Sequence, residues 1–444
     1  MTTMPAAPEL PFHLRGNYAP VTQEVTAFDL EVRGAIPPEL SGLYLRNGPN
    51  PHGGTSEHWF VGDGMVHGIR LEGGRAKWYR NRWVRTKKLA DPMATLVRDD
   101  GTVDRTVAVA NTNVIAHAGR IFALVESSFP TEVTAELDTL GTCDFDGRLT
   151  SAMTAHPKLC PRTGELHFFG YGFFPPFLVY NRLDAAGKLV QTENIDVPGP
   201  TMIHDFAITE GYVIFMDLPV VFNLEKAMGG SALPYEWSDT YGARLGLMPR
   251  GGGAADVRWF EIEPCYVFHP MNAYEDGGRI VVDVARYPEL WRESANRFEP
   301  ARLHRWTIDP AKGRVAESPL DDRAVEFPRV DERLAGARHR YGYAAANRAN
   351  VGEEATSLVK YDLTRGSAEE HDFDGGIPGE GVFVPAGTRA DEDEGYVVLY
   401  TYDPARNASD FVILDASRFA GPPVAVVPLP QRVPFGFHGN WVGD

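Results

Sequence analysis

Apolar and aromatic residues fall along this chain in short runs separated by Gly, Asp, Asn and Pro. Residues 114–116 and 121–125 flank the turn His-Ala-Gly-Arg, and 177–181 and 189–191 flank a turn at 184–188. Residues 206–208 and 212–216 flank Thr-Glu-Gly, and 267–274 and 280–284 flank Glu-Asp-Gly-Gly-Arg. The runs 303–308 and 358–363 end in Asp-Pro-Ala-Lys-Gly and Thr-Arg-Gly, and 395–402 and 410–414 flank a further turn. Each unit reads as a β-hairpin. Helical periodicity is scarce, with short helices expected only around 224–228 and 288–296.

Hairpins recur from one end to the other with no linker-like break, and Gly251-Gly252-Gly253 reads as a surface loop. The pattern predicts an all-β fold, a propeller of four-stranded blades around a central channel. At roughly 50 to 60 residues per blade, seven blades use this length. The expectation is a single propeller domain over residues 1–444, with 1–35 as an N-terminal lead-in. A pair of β-sandwiches is the structural alternative. No Gly-His…Trp-Asp repeat is present, so this is not a WD40 array.

Composition narrows the function. The net charge is −17, from 43 basic and 60 acidic residues. That argues against nucleic acid as a partner and against polybasic attachment to an anionic membrane. The 24 Phe, 17 Tyr and 8 Trp suit a large core or an apolar cavity. Three cysteines, Cys143, Cys160 and Cys265, make neither a disulfide framework nor a zinc ribbon and point to a reducing cytoplasm. The N-terminus shows no signal peptide and no run spans a membrane, leaving at most peripheral contact through an apolar tunnel mouth. Oligomeric state is left open.

Four histidines lie in or beside predicted strands: His156, His204, His269 and His438, at gaps of 48, 65 and 169 residues. Imidazole suits iron, copper, nickel and zinc. In a propeller the innermost strands of all blades face the axis, so four blades can each bring one histidine to a point. The gaps correspond to about one, one and three blades. Taken singly, each histidine reads as an ordinary strand or turn residue, as do the other nine. Of those nine, His67 reads as strand packing and His117 as an exposed turn residue.

The surrounding motifs decide between them. Leu40-Ser-Gly-Leu-Tyr-Leu-Arg-Asn-Gly-Pro-Asn-Pro51, Phe60-Val-Gly-Asp-Gly-Met-Val-His67, Asn111-Thr-Asn-Val114, Thr154-Ala-His-Pro-Lys158, Ile203-His-Asp-Phe206, Phe215-Met-Asp-Leu-Pro219, Phe268-His-Pro-Met-Asn-Ala-Tyr-Glu275, Glu326-Phe-Pro-Arg329, Gly379-Glu-Gly-Val-Phe-Val-Pro385 and Phe437-His-Gly-Asn-Trp441 follow one another in order. Over nearly its whole length the chain resembles the carotenoid cleavage oxygenase family, which includes bacterial stilbene-cleaving enzymes. The resemblance implies a seven-bladed propeller under a helical and loop-built cap. It implies Fe(II) on the axis held by His156, His204, His269 and His438, with O2 as co-substrate. Glu126, Glu326 and Glu380 match the positions that orient three of the four rings, although Gly-Glu-Gly at Glu380 departs from the commoner Gly-Glu-Pro. Thr112 matches a position whose methyl crowds one open iron site.

The implied reaction is cleavage of a carbon–carbon double bond of an apolar alkene, giving two carbonyl products. No dinucleotide fingerprint and no separate acid–base dyad is present. The aromatic segment from Phe168 to Tyr180 reads as strand and core or as the wall of a tunnel, and Phe268 is expected to face the cavity. Val125 stands where the resembling stilbene-cleaving enzymes have a lysine that engages a phenolic oxygen. The expected substrate is therefore a carotenoid or apocarotenoid, with stilbenes and phenylpropenes such as isoeugenol as the alternative. Non-oxidative chemistry at the same iron is a further reading, and a non-catalytic propeller binding module is the least favoured.

Overall fold

The computed structural model describes residues 10–346 and 355–444. Its strands form seven antiparallel blades built on four strands, each with one innermost strand. Two of the blades are joined in one continuous seven-stranded sheet, and a separate hairpin pairs Val220–Phe222 with Tyr235–Trp237. In chain order these inner strands are β1 (Asn113–His117), β2 (Lys158–Leu159), β3 (Ala207–Ile208), β4 (Tyr266–Asp276), the last third of β5 (Arg314–Arg329), β6 (Val382–Pro385) and β7 (Gly439–Gly443). The long strand β5 serves two blades. Its first part pairs with Arg302–Asp309, and from Val325 onward it pairs with Tyr341–Ala346. The predicted seven-bladed propeller is thus present, and the gaps between the histidines span one, one and three blades as expected.

Local chemistry explains the hairpins. Between Asp276 and Arg279 the two-residue turn is Gly277-Gly278, both at positive φ, as the right-handed strand twist requires. At the turn 184–188, Asp184 Oδ1 accepts the backbone N–H groups of Ala186 and Lys188, at 3.0 and 2.9 Å. The apolar faces then meet between blades. One such cluster joins Ile214 and Leu245 to Val282 and Trp306, and another joins Tyr44 and Ile69 to Val398 and Phe411.

The ring closes through both ends of the chain. β7 pairs with Gly42–Pro49, so the C-terminal strand is the inner strand of a blade otherwise built from the N-terminal third. The N-terminal lead-in adds outer strands of its own. Thr26–Phe28 pairs with Arg75–Trp83, and Arg33–Gly34 pairs with Ala425–Pro428.

The cap is loop-built. Among the described residues α-helix is confined to α1 (Lys87–Ala90) and α2 (Leu224–Met228), the second as expected from sequence, beside short 3-10 turns. The helix expected over residues 288–296 is absent. Trp291 takes φ +58°, outside the right-handed helical region, and Leu290 forms an isolated antiparallel bridge with Phe298. His117, expected to be exposed, is buried at the end of β1 with its Nε2 2.9 Å from the Gly164 carbonyl.

Gly436 and Gly48 bring the chain segment before β7 against the neighbouring strand. A Cβ on either would lie 2.8 Å from the Cα of the other. Gly436→Ala is expected to destabilise the protein by about 1–3 kcal/mol. A urea unfolding curve checks this, and an unchanged midpoint contradicts it.

Candidate metal centre

Each inner strand begins at the same end of the axis, and the site is built from those beginnings. His156 precedes β2, His204 precedes β3, His269 lies near the start of β4 and His438 immediately precedes β7. Glu326 lies in the inner part of β5, Glu380 precedes β6, and Thr112 precedes β1. All seven blades therefore present a residue to one region.

The four histidines are buried, and one nitrogen from each lies within 4.8 Å of the others. His204 Nε2 and His269 Nε2 stand 3.2 Å apart. Three of the outer nitrogens are engaged by carboxylates. His269 Nδ1 lies 2.6 Å from Glu326 Oε2, His438 Nδ1 lies 3.0 Å from Glu380 Oε1, and His204 Nδ1 contacts Glu126. A Glu accepting Nδ1–H fixes the tautomer and leaves Nε2 with a bare lone pair. The fourth ring differs. His156 Nδ1 is 3.7 Å from Asp205, too far for a hydrogen bond, and Asp205 is itself paired with Lys158 at 2.7 Å.

Electrostatics favours neutral rings. Burial and the neighbouring imidazoles hold His156 well below the usual histidine range. Burial likewise lowers His269 and His438, outweighing the opposite pull of Glu326 and Glu380. Burial alone would raise Glu380. The Arg329 guanidinium, His438 and the Gly439 N–H overcome that and bring it down to about 2, so it is ionised at neutral pH. Glu326 is also lowered, since His269, the Phe327 N–H and the Tyr287 hydroxyl outweigh its burial.

The donor set fits a metal ion. His156 Nε2 is buried without a hydrogen-bond partner, a costly state for a polar atom unless a ligand occupies the centre. Four buried imidazole nitrogens, three of them on rings backed by carboxylates, suit a first-row transition metal.

The centre opens into a cavity of about 1070 Å3. His204, His269 and His438 lie on its wall, as do Thr112, Val125 and Phe268. The Phe268 ring meets His204 edge-on at 5.0 Å. The aromatic segment divides between its two readings: Phe168 and Phe169 are fully buried core, whereas Tyr171, Phe173 and Phe174 line the cavity.

Residues 18–443 match the family model described as "Retinal pigment epithelial membrane protein". The carotenoid cleavage oxygenase of Mycobacterium tuberculosis (strain CDC 1551 / Oshkosh) is 41% identical, over 99% of each chain. The chain belongs to the carotenoid cleavage oxygenase family. Solved structures in the same group include Pseudomonas brassicacearum lignostilbene dioxygenase, with a TM-score of 0.88 and 32% identity over 98% of this chain and 100% of that one. They also include cobalt-substituted Synechocystis ACO, with a TM-score of 0.87 and 28% identity over 98% of each chain.

In this carotenoid cleavage oxygenase homologue several supporting residues escape sequence reasoning. Thr154 Oγ1 accepts the His156 backbone N–H and donates to the His204 carbonyl, both at 3.1 Å, which ties two inner strands together. Asn47 Nδ2 bridges the Ala110 and Asn113 carbonyls, and Asn113 Nδ2 reaches Ala155 at 2.7 Å. The Asn47 backbone N–H donates to the His438 carbonyl at 2.9 Å, and Thr112 accepts from the His438 N–H at 3.2 Å. The Thr112 hydroxyl is itself committed to Asn111 Oδ1 at 2.9 Å. Phe327 takes φ +53°, a strained conformation for a side chain of its size, and its ring stacks on His269 with centroids 5.4 Å apart. Tyr171 donates to Glu126, and Tyr287 donates to Glu326 at 3.0 Å.

Glu326→Gln keeps the shape but removes the charge that holds His269. Metal affinity is expected to fall about 10- to 100-fold. Titration of the metal-free protein with ferrous or cobaltous ion reads this directly, and unchanged affinity contradicts the orienting role.

Proposed function

We propose that His156, His204, His269 and His438 hold one Fe(II), and that the protein cleaves a carbon–carbon double bond of a carotenoid or apocarotenoid with O2 to give two carbonyl products. The observation that carries this reading is the placement of the buried imidazole cluster, with its unpartnered Nε2, at the wall of a large aromatic cavity. Bound iron would supply the site for binding and activating O2, in the positions four protein ligands leave open.

The protein's own groups do the rest. Glu126, Glu326 and Glu380 orient three rings and balance charge that neutral imidazoles leave uncompensated. Phe60, Phe268 and Phe437 supply an apolar wall that binds the alkene and excludes water. Thr112, on the same wall, is the residue we assign to crowding one open metal position. No side chain needs to move a proton, and the buried histidines serve as ligands rather than as bases.

Two features favour a long substrate. The cavity exceeds the roughly 300–1,000 Å3 of ordinary ligand pockets. Val125 offers no cation to a phenol. Phe174 lines the cavity while half exposed, and Met93, Leu224 and Met228 are exposed on cap segments beside the lining residues. We infer that this apolar rim takes up substrate by peripheral contact with a lipid surface. No helix among the described residues is long and apolar enough to cross a membrane. Three buried free cysteines agree with the reducing cytoplasm as the proposed compartment.

Purified under conditions that retain ferrous iron, the protein is expected to hold about one iron per chain. His156→Ala and His269→Ala are expected to lose both metal and turnover. With ¹⁸O2, label should enter the carbonyl products once exchange with water is controlled. Full activity in either variant, or no label in any product, overturns the oxygenase reading. Among β-apo-8′-carotenal, resveratrol and isoeugenol, the apocarotenoid should be cleaved best. Cleavage of resveratrol but not the apocarotenoid would reverse the substrate assignment.

A further inference from the structure

The cavity wall carries a cation that no carboxylate among the described residues neutralises. Arg105 lines the cavity together with Val103, Val107, Val125 and Ser127. Its carbonyl accepts the Phe129 N–H at 2.9 Å, which fastens it beside the segment that follows Glu126. The Arg105 Nε is buried without a hydrogen-bond partner. Among the described residues no carboxylate lies within ion-pair distance of Arg105, whereas the adjacent Asp104 is taken by Lys87 and Arg98, both at 2.8 Å. Burial alone acts on its pKa, downward, with no neighbouring charge to oppose it.

The other amine or guanidinium on this wall is committed elsewhere. Lys88 Nζ donates to the Pro92 and Ala94 carbonyls, at 2.7 and 2.9 Å. Of the wall carboxylates, Glu126 and Glu326 face His204 and His269, Asp63 accepts the His52 N–H, Glu299 pairs with Arg297, and Glu57 forms no ion pair with Arg105. A guanidinium stays charged in any protein environment, and half-burying it without a partner is costly. Its planar fork matches a carboxylate in two parallel hydrogen bonds. An aliphatic hydrocarbon filling this cavity would leave that charge uncompensated and further desolvated.

We propose that Arg105 determines specificity by receiving an anionic oxygen terminus of the substrate, so that the preferred substrate is an apocarotenoid ending in a carboxylate. This rests on reading the site as an alkene-cleaving oxygenase and deepens it. It also relocates the polar recognition that Val125 does not provide. The charge stands in the segment before β1 and lines the same cavity as Val125. A phenolate shares the same oxyanion chemistry, and the test separates it from a carboxylate.

Wild-type protein, Arg105→Gln and Arg105→Lys are compared with β-apo-8′-carotenoic acid, the matching aldehyde, β-carotene and resveratrol. Steady-state kinetics are paired with binding to the metal-free protein, read by quenching of tryptophan fluorescence. The wild type should prefer the acid over the aldehyde in kcat/KM and in binding. Arg105→Gln should lower that preference by at least about tenfold, mainly through KM, and Arg105→Lys should recover most of it. An acid-to-aldehyde ratio near one in the wild type, or the same ratio in Arg105→Gln, overturns the proposal. Loss confined to resveratrol would assign the oxyanion to a phenol and overturn the carboxylate. If the wild type cleaves none of the four, the oxygenase reading fails, while the binding ratio in metal-free protein still decides the role of Arg105.

Discussion

Four imidazoles crowd together in a buried space with ring nitrogens facing one another, and the inner Nε2 of His156 has no hydrogen-bond partner. This arrangement needs each outer nitrogen fixed so that the inner lone pair is presented and the ring stays neutral. Glu126, Glu326 and Glu380 do this for three rings. Each carboxylate is in turn held by a further donor: Tyr171 for Glu126, Tyr287 for Glu326, and Arg329 with the Gly439 N–H for Glu380. Buried carboxylates persist in ionised form only with such support. His156 has no such carboxylate, and its place is set through the backbone by Thr154.

That constraint dictates the scaffold. No single hairpin can bring four rings and three carboxylates to one point from all sides. A closed ring of inner strands can, because each starts at the same end of the axis. The Asn47 and Asn113 side chains stitch neighbouring strand starts together, so the residues of the site share one frame. Ring closure through β7 matters doubly, since the strand that joins the ends of the chain also follows His438.

The blades were legible in the sequence because hairpin turns carry their own chemistry, as at Asp184 and Gly277-Gly278. The histidine gaps were legible as multiples of one blade, but the choice among thirteen histidines came from flanking motifs and not from spacing. Contacts between distant segments were not legible. Thr154, Asn47 and Phe327 act on neighbours that only the closed ring supplies, and Phe327 depends on a backbone conformation its side chain does not announce. The misread residues 288–296 and His117 failed for a related reason. Leu290 and Trp291 are buried in the core cluster that includes Phe268, and the left-handed backbone at Trp291 stops a helix there. His117 sits in a hairpin, yet the adjacent blade covers it through Gly164.

The central claim is that iron sits among four neutral imidazoles backed by three carboxylates that do not touch it. X-ray absorption at the iron edge of the Fe(II)-loaded protein tests this most directly. Four imidazole nitrogens should dominate the first shell, with the multiple-scattering pattern of histidine rings and only light oxygen ligands from water or O2 in the remaining positions. A first shell with two histidines and a carboxylate, or with sulfur, would contradict it.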